Sequence, residues 1–405
     1  MKRVFWSFIL VYVCYLSADA RQRYINPVPG EMPILAWYSI RPDSALTAER
    51  YLEMKEAGFN ISFSHFADNE EVKKALDASR GTGVKIMVMS GALENNTAET
   101  VNRFKRDEGV AGWFLRDEPT SLSFPQMKAF RDRILQEDTT HMLYLNLLPV
   151  YVSPKDLGTS SYREYLKRFV DEVDLGFFSY DNYPIVTDGK GGIILKDGFF
   201  TNLEDALAVS RETGVPFWAF ALSTAHGPYP VASREMLRLE MFSNLAYGAQ
   251  GLQYFTYWNP GNGGVWNFHT APISLDGART HVYYLVKELN EEIHLLTPVF
   301  LGAEVMDVSH FGSVLPPGTH RPATLPAPIS QLECEGKGML ISHLKNGKHT
   351  YCMVLNTDIN HTQTLKMTLA ASIKRILPGQ SWRKIKKGIS SFQLAPGDYV
   401  LLQLS

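Results

Sequence analysis

Eight short apolar runs alternate with amphipathic stretches between residues 30 and about 300, and this alternation predicts a (β/α)8 barrel. The runs are apolar almost throughout, as strands covered on both faces of a parallel sheet must be. The stretches between them carry helical periods that stop at glycine. Eight units in about 270 residues also suit a closed barrel, whose usual size is ~250 residues. A doubly wound open sheet uses the same units, but no Gly-rich phosphate loop follows the first run.

The runs, in order, are MPILAWYSI (32–40), FNISFSHF (59–66), VKIMVMSG (84–91), VAGWFLRDEP (110–119), HMLYLNLLP (141–149), LGFFSYDNYP (175–184), VPFWAFALS (215–223) and GLQYFTYWNP (251–260). Each is short, rich in β-branched or aromatic residues, and bounded by Gly, Pro or polar residues, which marks strands. Between them, AERYLEMKEAG (48–58) places Leu52 and Met54 on an apolar stripe and ends in Gly58. EEVKKALDASRGTG (70–83) also stops at glycines, and SREMLRLEMFSNLAYGAQG (233–251) opens on Ser233, a capping residue.

After residue 300 the texture changes. Pro316, Pro317, Pro322, Pro326 and Pro328 crowd a stretch without helical period. Asn346-Gly347 then sits between two apolar runs, a hairpin signal, and further short runs reach residue 404. The expected organisation is a barrel over 21–300 and a small all-β sandwich over 301–405 that covers barrel surface.

The N-terminus reads as a secretory signal. Lys2 and Arg3 precede the apolar FWSFILVYVCYL, and Ala18-Asp19-Ala20 supplies an A-x-A site, so cleavage is expected after Ala20, with export to the periplasm or the extracellular space. No other segment is apolar enough for a span, so no membrane insertion is expected after cleavage. The net charge of −2 gives no footprint for nucleic acid or an anionic membrane. Cys334 and Cys352 lie in strand-like surroundings and either pair or stay separate. Neither stands near a His pair at ligand spacing, so neither metal nor cofactor is expected. Oligomeric state is not legible.

Function is sought at the C-terminal ends of the barrel strands, where βα loops build the pocket. The first run ends near Tyr38, the second near His65, the fourth in Asp117 and Glu118, the fifth in Asn146. The sixth supplies Tyr180, Asp181 and Tyr183, the eighth Tyr257, Trp258 and Asn259, and His226 follows the seventh. A single acid after a strand is as often a helix cap or a solvated loop residue. Acids at two strand ends flanked by Trp and Tyr point instead to a carbohydrate site. Glycoside hydrolysis needs one protonated carboxyl for the leaving oxygen and one ionised carboxyl as nucleophile or base. Glu118 is the candidate acid, since apolar and acidic neighbours raise a carboxyl pKa.

These residues resemble the (β/α)8 glycoside hydrolases, nearest to bacterial β-galactosidase-like proteins around glycoside hydrolase family 42. The resemblance rests on Glu118 at the fourth strand, on Val173-Asp174 with Ser179-Tyr180-Asp181-Asn182-Tyr183-Pro184, on LAYGAQGLQYFTYW (245–258), and on Leu394 to Leu402. It implies an acid/base role for Glu118. Two departures stand out. The fourth strand carries Asp117-Glu118 where such proteins carry Asn-Glu, and Ala221 stands about where their seventh-strand nucleophile Glu belongs.

The expected function is therefore a secreted hydrolase of O-glycosyl bonds in oligo- or polysaccharides. Glu118 is the expected general acid and Asp181 the opposing carboxylate, either as nucleophile or across the 6.5–9.5 Å span that inversion requires. Asp117 is a further candidate for the second carboxyl, although adjacent strand residues point oppositely. Asp117, Asn146, Tyr180, Tyr183, His65, His226 and Trp258 are expected substrate contacts, with Trp258 as a sugar platform. The competing expectation is a non-catalytic glycan-binding protein on a degenerate hydrolase barrel.

Overall fold

The computed structural model describes residues 21–263, 266–379 and 381–404. The expected signal segment, residues 1–20, lies outside the described residues. Eight parallel strands close into a barrel: β1 (Ile34–Trp37), β2 (Ile61–Phe63), β3 (Lys85–Val88), β4 (Val110–Asp117), β5 (Met142–Leu147), β6 (Phe178–Tyr180), β7 (Phe217–Leu222) and β8 (Gly251–Phe255). Each falls inside one of the eight apolar runs. Closure is made by β1 on β8, with Ile34 beside Leu252 and Trp37 beside Phe255. Outside β4, whose last residue Asp117 is exposed and Arg116 half-buried, the barrel strands are buried almost throughout, which is why they carry no alternating pattern.

The helices form in the expected stretches, but the buried stripe of the first carries Tyr51 with Met54, and Leu52 is exposed. Thr47 caps helix Ala48–Glu56 by accepting from the Arg50 N–H, Asp68 caps Asn69–Ser79, and Ser233 caps Arg234–Ala246 by accepting from the Met236 N–H. Close packing at the sheet has a local requirement at Gly112. A Cβ there would lie 2.2 Å from the Met142 carbonyl oxygen, so only glycine lets β4 approach β5.

The C-terminal region forms two antiparallel sheets. One has six strands in the order β9 (Glu304–Phe311), β11 (Met339–Asn346), β12 (His349–Asn356), β17 (Tyr399–Gln403), β14 (Ile373–Ile376), β15 (Trp382–Ile385). The other has three: β10 (Ile329–Glu335), β13 (Gln363–Leu369), β16 (Gly388–Leu394). Asn346-Gly347 forms the turn between β11 and β12, with Asn346 paired to His349. The two sheets enclose their own core around Met339, Val354, Leu365 and Leu402. The opposite face of the larger sheet, through Leu340, Leu344, Met353 and Leu401, joins the barrel core.

The junction also carries charge. Arg238, only 6% exposed, reaches Glu292 on a neighbouring helix and donates from Nε to Asp398 Oδ1 at 2.8 Å. Cys334 and Cys352 are both free, so they do not pair. No helix among the described residues is long and apolar enough to cross a membrane.

Candidate active site

A cavity of about 480 Å³ opens at the C-terminal ends of the barrel strands. Asp117, Glu118, Asn146, Asp181, Tyr183 and His226 line it, so six of the expected residues meet there.

The fourth strand delivers two acids to one place, against the alternation of a regular strand. Its pairing with β5 shifts between Phe114 and Arg116, which sets Asp117 beside Asn146. Glu118 then takes φ +47°, a left-handed conformation rare for a residue with a Cβ, while its N–H still donates to the Asn146 carbonyl at 2.9 Å. Both carboxyls consequently face the cavity. Tyr38, also lining it, has φ +42°. Such strained positions concentrate at functional sites.

Asn146 organises the acids. Its Nδ2 donates to Asp181 Oδ1 at 3.0 Å and reaches Asp117 Oδ1 at 3.3 Å. The orientation of its amide follows from below. The Ser179 hydroxyl donates to Asn146 Oδ1 at 3.0 Å, Gln253 Nε2 donates to Ser179 Oγ at 2.7 Å, and the Tyr144 hydroxyl donates to Gln253 Oε1. A chain of buried polar groups thus rises through the barrel and leaves the Asn146 amino group facing the carboxyls.

Glu118 and Asp181 line the same side of the cavity, and each bears on the other's protonation. Burial raises both carboxyls, and Asp181, the more deeply enclosed, is raised further by the charges of Glu118 and Asp117. Asp117 is pushed up to about 7, by burial first and by the Glu118 charge second. Asp117 and Glu118 are open to water from the mouth, yet the surrounding walls crowd out most of their hydration.

Glu118 and Asp181 both stand on the β4–β6 side of the cavity. The reason is topological, since β4, β5 and β6 are consecutive neighbours and Asn146 on β5 bonds Asp117 on one side and Asp181 on the other.

The other wall is aromatic. Trp37, Phe220, Phe255, Tyr229, Trp266 and Phe268 line it together with His226. The cavity-facing residue of β7 is Phe220; Ala221 alternates to the helix side, where its neighbour on β8 is Tyr254. His226 is buried among Tyr229 and Phe268, each with ring centroids 4.8 Å away. Its Nδ1 lies 2.9 Å from the Thr224 carbonyl, so Nδ1 carries the proton and Nε2 is left as an acceptor.

Three expected contacts do not line the cavity. Tyr180 points outward from β6, because Ser179 beside it points in, and its ring stacks on Phe217. Trp258 is buried beneath the Arg50 guanidinium, 5.1 Å from its ring, so it is no sugar platform. His65 stands exposed at the rim, its ring 5.2 Å from that of Tyr38.

Trp266 and Phe268 instead form the exposed platform, stacked at 21° with Trp266 49% exposed. They sit in the long loop after β8, beyond the strand-end residues on which sequence reasoning relied. The local signal was the aromatic pair in VWNFH (265–269). Tyr151 and Tyr229, also in βα loops, were missed for the same reason. Among the described residues no group of three or more His, Cys, Asp or Glu is arranged to hold a metal ion.

Fold and site together define a (β/α)8 barrel of the glycoside hydrolase type. The profile of the β-galactosidases of glycoside hydrolase family 42 matches residues 159–296, and the chain is related to that family. No curated protein sequence matches it. Among solved structures, a family 42 β-galactosidase from G. stearothermophilus superposes with a TM-score of 0.63 at 8% identity, covering 95% of this chain and 99% of that one. A β-galactosidase from Bacillus circulans sp. alkalophilus gives 0.62 at 10% identity, covering 93% and 99%. The chain spans 60% of the β-galactosidase from the psychrophilic Marinomonas ef1, with 66% of its own length, 12% identity and a TM-score of 0.49.

Proposed function

We propose that the protein is an exported glycoside hydrolase whose proton donor is the Glu118–Asp181 pair. The observation that carries this reading is the left-handed Glu118, which turns its carboxyl into an aromatic-lined cavity that Asp117 and Asp181 also line. Two neighbouring, poorly hydrated carboxyls each favour keeping a proton, because ionising both puts two like charges in one dry site. Glu118 is the member open to the mouth, so it passes that proton to the leaving oxygen, while Asp181 positions and recharges it. Asn146 steadies the charge that remains. A cavity of this size suits one or two sugar rings, with Trp266 as the stacking face. Export rests on the basic, apolar and A-x-A pattern of the first 20 residues.

The test is reducing-end release from a panel of plant and host glycans by the wild type and by Glu118→Gln. Release by the wild type, reduced about 10²–10⁴-fold in the variant, is expected of a lost general acid. The second reading, a glycan-binding barrel without hydrolysis, is favoured by the lack of a carboxylate on the aromatic wall. It predicts equal glycan binding by both proteins and no release by either.

A further inference from the structure

We propose that the substrate is a 1,2-trans 2-acetamido-2-deoxyhexoside and that its own acetamido oxygen is the nucleophile. This inference rests on the hydrolase reading and answers the question that reading leaves open, namely what attacks the sugar carbon.

Among the described residues the cavity is lined by three carboxyls, Asp117, Glu118 and Asp181, and all stand on the β4–β6 side. The wall formed from β7, β8, β1 and the loops after β7 and β8 offers only aromatic and apolar side chains and a neutral His226. The nearest acid behind β7, Glu240, is 2% exposed, spends Oε2 on the Leu222 N–H at 2.9 Å, and does not reach the cavity. A protein nucleophile opposite the acid is therefore lacking. Among the described residues that wall likewise offers no carboxylate base to activate water for inversion.

What the site does offer is unusual. Two consecutive carboxyls enter one cavity only because Glu118 adopts a strained backbone. A hydrolase with one opposed acid and nucleophile has no need of Asp117 at that place. An acetamido group held between the sugar and this wall makes use of it. Some glycosidases do dispense with a protein nucleophile by recruiting the substrate.

In the first step the acetamido carbonyl oxygen forms a bond to C1 as the bond from C1 to the leaving oxygen breaks. The leaving oxygen keeps that electron pair and takes the proton from Glu118. The Asp117 carboxylate accepts the amide N–H and removes its proton, leaving a neutral oxazoline. In the second step Glu118, now ionised, takes a proton from water as the water oxygen bonds to C1. The C1–O bond of the oxazoline breaks, and Asp117 returns its proton to nitrogen. The sugar is released with its original anomeric configuration. The trans relation is required because the attacking oxygen must approach C1 opposite the leaving group.

The test compares aryl 2-acetamido-2-deoxy-β-glucoside and β-galactoside with the corresponding plain β-hexosides, using the full chain. Hydrolysis of an acetamido substrate, with kcat/KM at least about 100-fold above its plain counterpart, is expected. Successive fluorination of the acetyl group should lower the rate stepwise, since it weakens the attacking oxygen, and this series needs no variant. Asp117→Asn should lower kcat on the acetamido substrate by about 10²-fold or more with little change in KM. Hydrolysis of plain hexosides but not acetamido ones, or a rate indifferent to fluorination, overturns the inference while the hydrolase reading stands. Binding of glycans with no hydrolysis of either series overturns both.

Discussion

Glu240 gives the most quantitative prediction, because its environment is closed on every side. The side chain projects from helix Arg234–Ala246 beneath the end of β7 and accepts the Leu222 N–H at 2.9 Å. Burial pushes its carboxyl from 4.5 up to about 8. In the unfolded chain it titrates at its ordinary value. Below that value both states are protonated and the group costs nothing. As pH rises, the unfolded state ionises first while the folded state keeps its proton, so stability falls until the folded group titrates too. Each pH unit costs about 1.4 kcal/mol, so the loss reaches about 3 kcal/mol at pH 7. Glu240→Gln keeps an accepting oxygen for Leu222 and removes the titration. Urea unfolding of both proteins from pH 4.5 to 8 isolates the effect, because all other groups cancel in the difference. The variant should match the wild type near pH 4.5 and exceed it by about 3 kcal/mol at pH 7. A difference that stays constant across this range would refute the reasoning.

Other consequences follow from the same geometry. Glu118→Gln removes the charge beside Asp117, so the Asp117 titration should move down from about 7, as read by carboxyl carbon NMR; an unmoved midpoint would mean burial alone sets it. Trp266→Ala should raise KM or Kd for glycans by about 3–10-fold with kcat nearly unchanged, the worth of one stacked ring. Arg238→Met leaves Glu292 with only the Tyr399 hydroxyl and Asp398 with only Arg234 at the junction of barrel and sheets, and should cost about 1–3 kcal/mol in denaturant unfolding. Gly112→Ala drives a Cβ into the Met142 carbonyl and should sharply lower Tm, with wild-type-like stability counting against the tight β4–β5 approach.

Much of the fold was legible because barrel strands are buried on both faces, which leaves short, dense, β-branched or aromatic runs bounded by turn residues. The position of Asp117, Glu118, Asn146 and Asp181 was legible for a similar reason: the last residues of such a run must surface at the barrel mouth. Their mutual geometry was not. Nothing local in RDEP announces that Glu118 adopts a left-handed backbone, and regular alternation would have sent one acid away. Tyr180 and Trp258 failed as contacts on parity, since proximity to a strand end does not say which side a ring takes. Trp266, Phe268, Tyr151 and Tyr229 escaped notice because loops, not strands, carry them into the cavity. Ala221 marked the missing seventh-strand acid by sequence offset, whereas the residue that faces the cavity is Phe220.

The most direct measurement is a proton NMR time course of the anomeric region during hydrolysis of a β-linked substrate by the wild-type protein. With the acids gathered on the β4–β6 wall, the account predicts that the β-anomer of the product appears first and the α-anomer only by later mutarotation. First appearance of the α-anomer would require a base on the aromatic wall and would contradict the account.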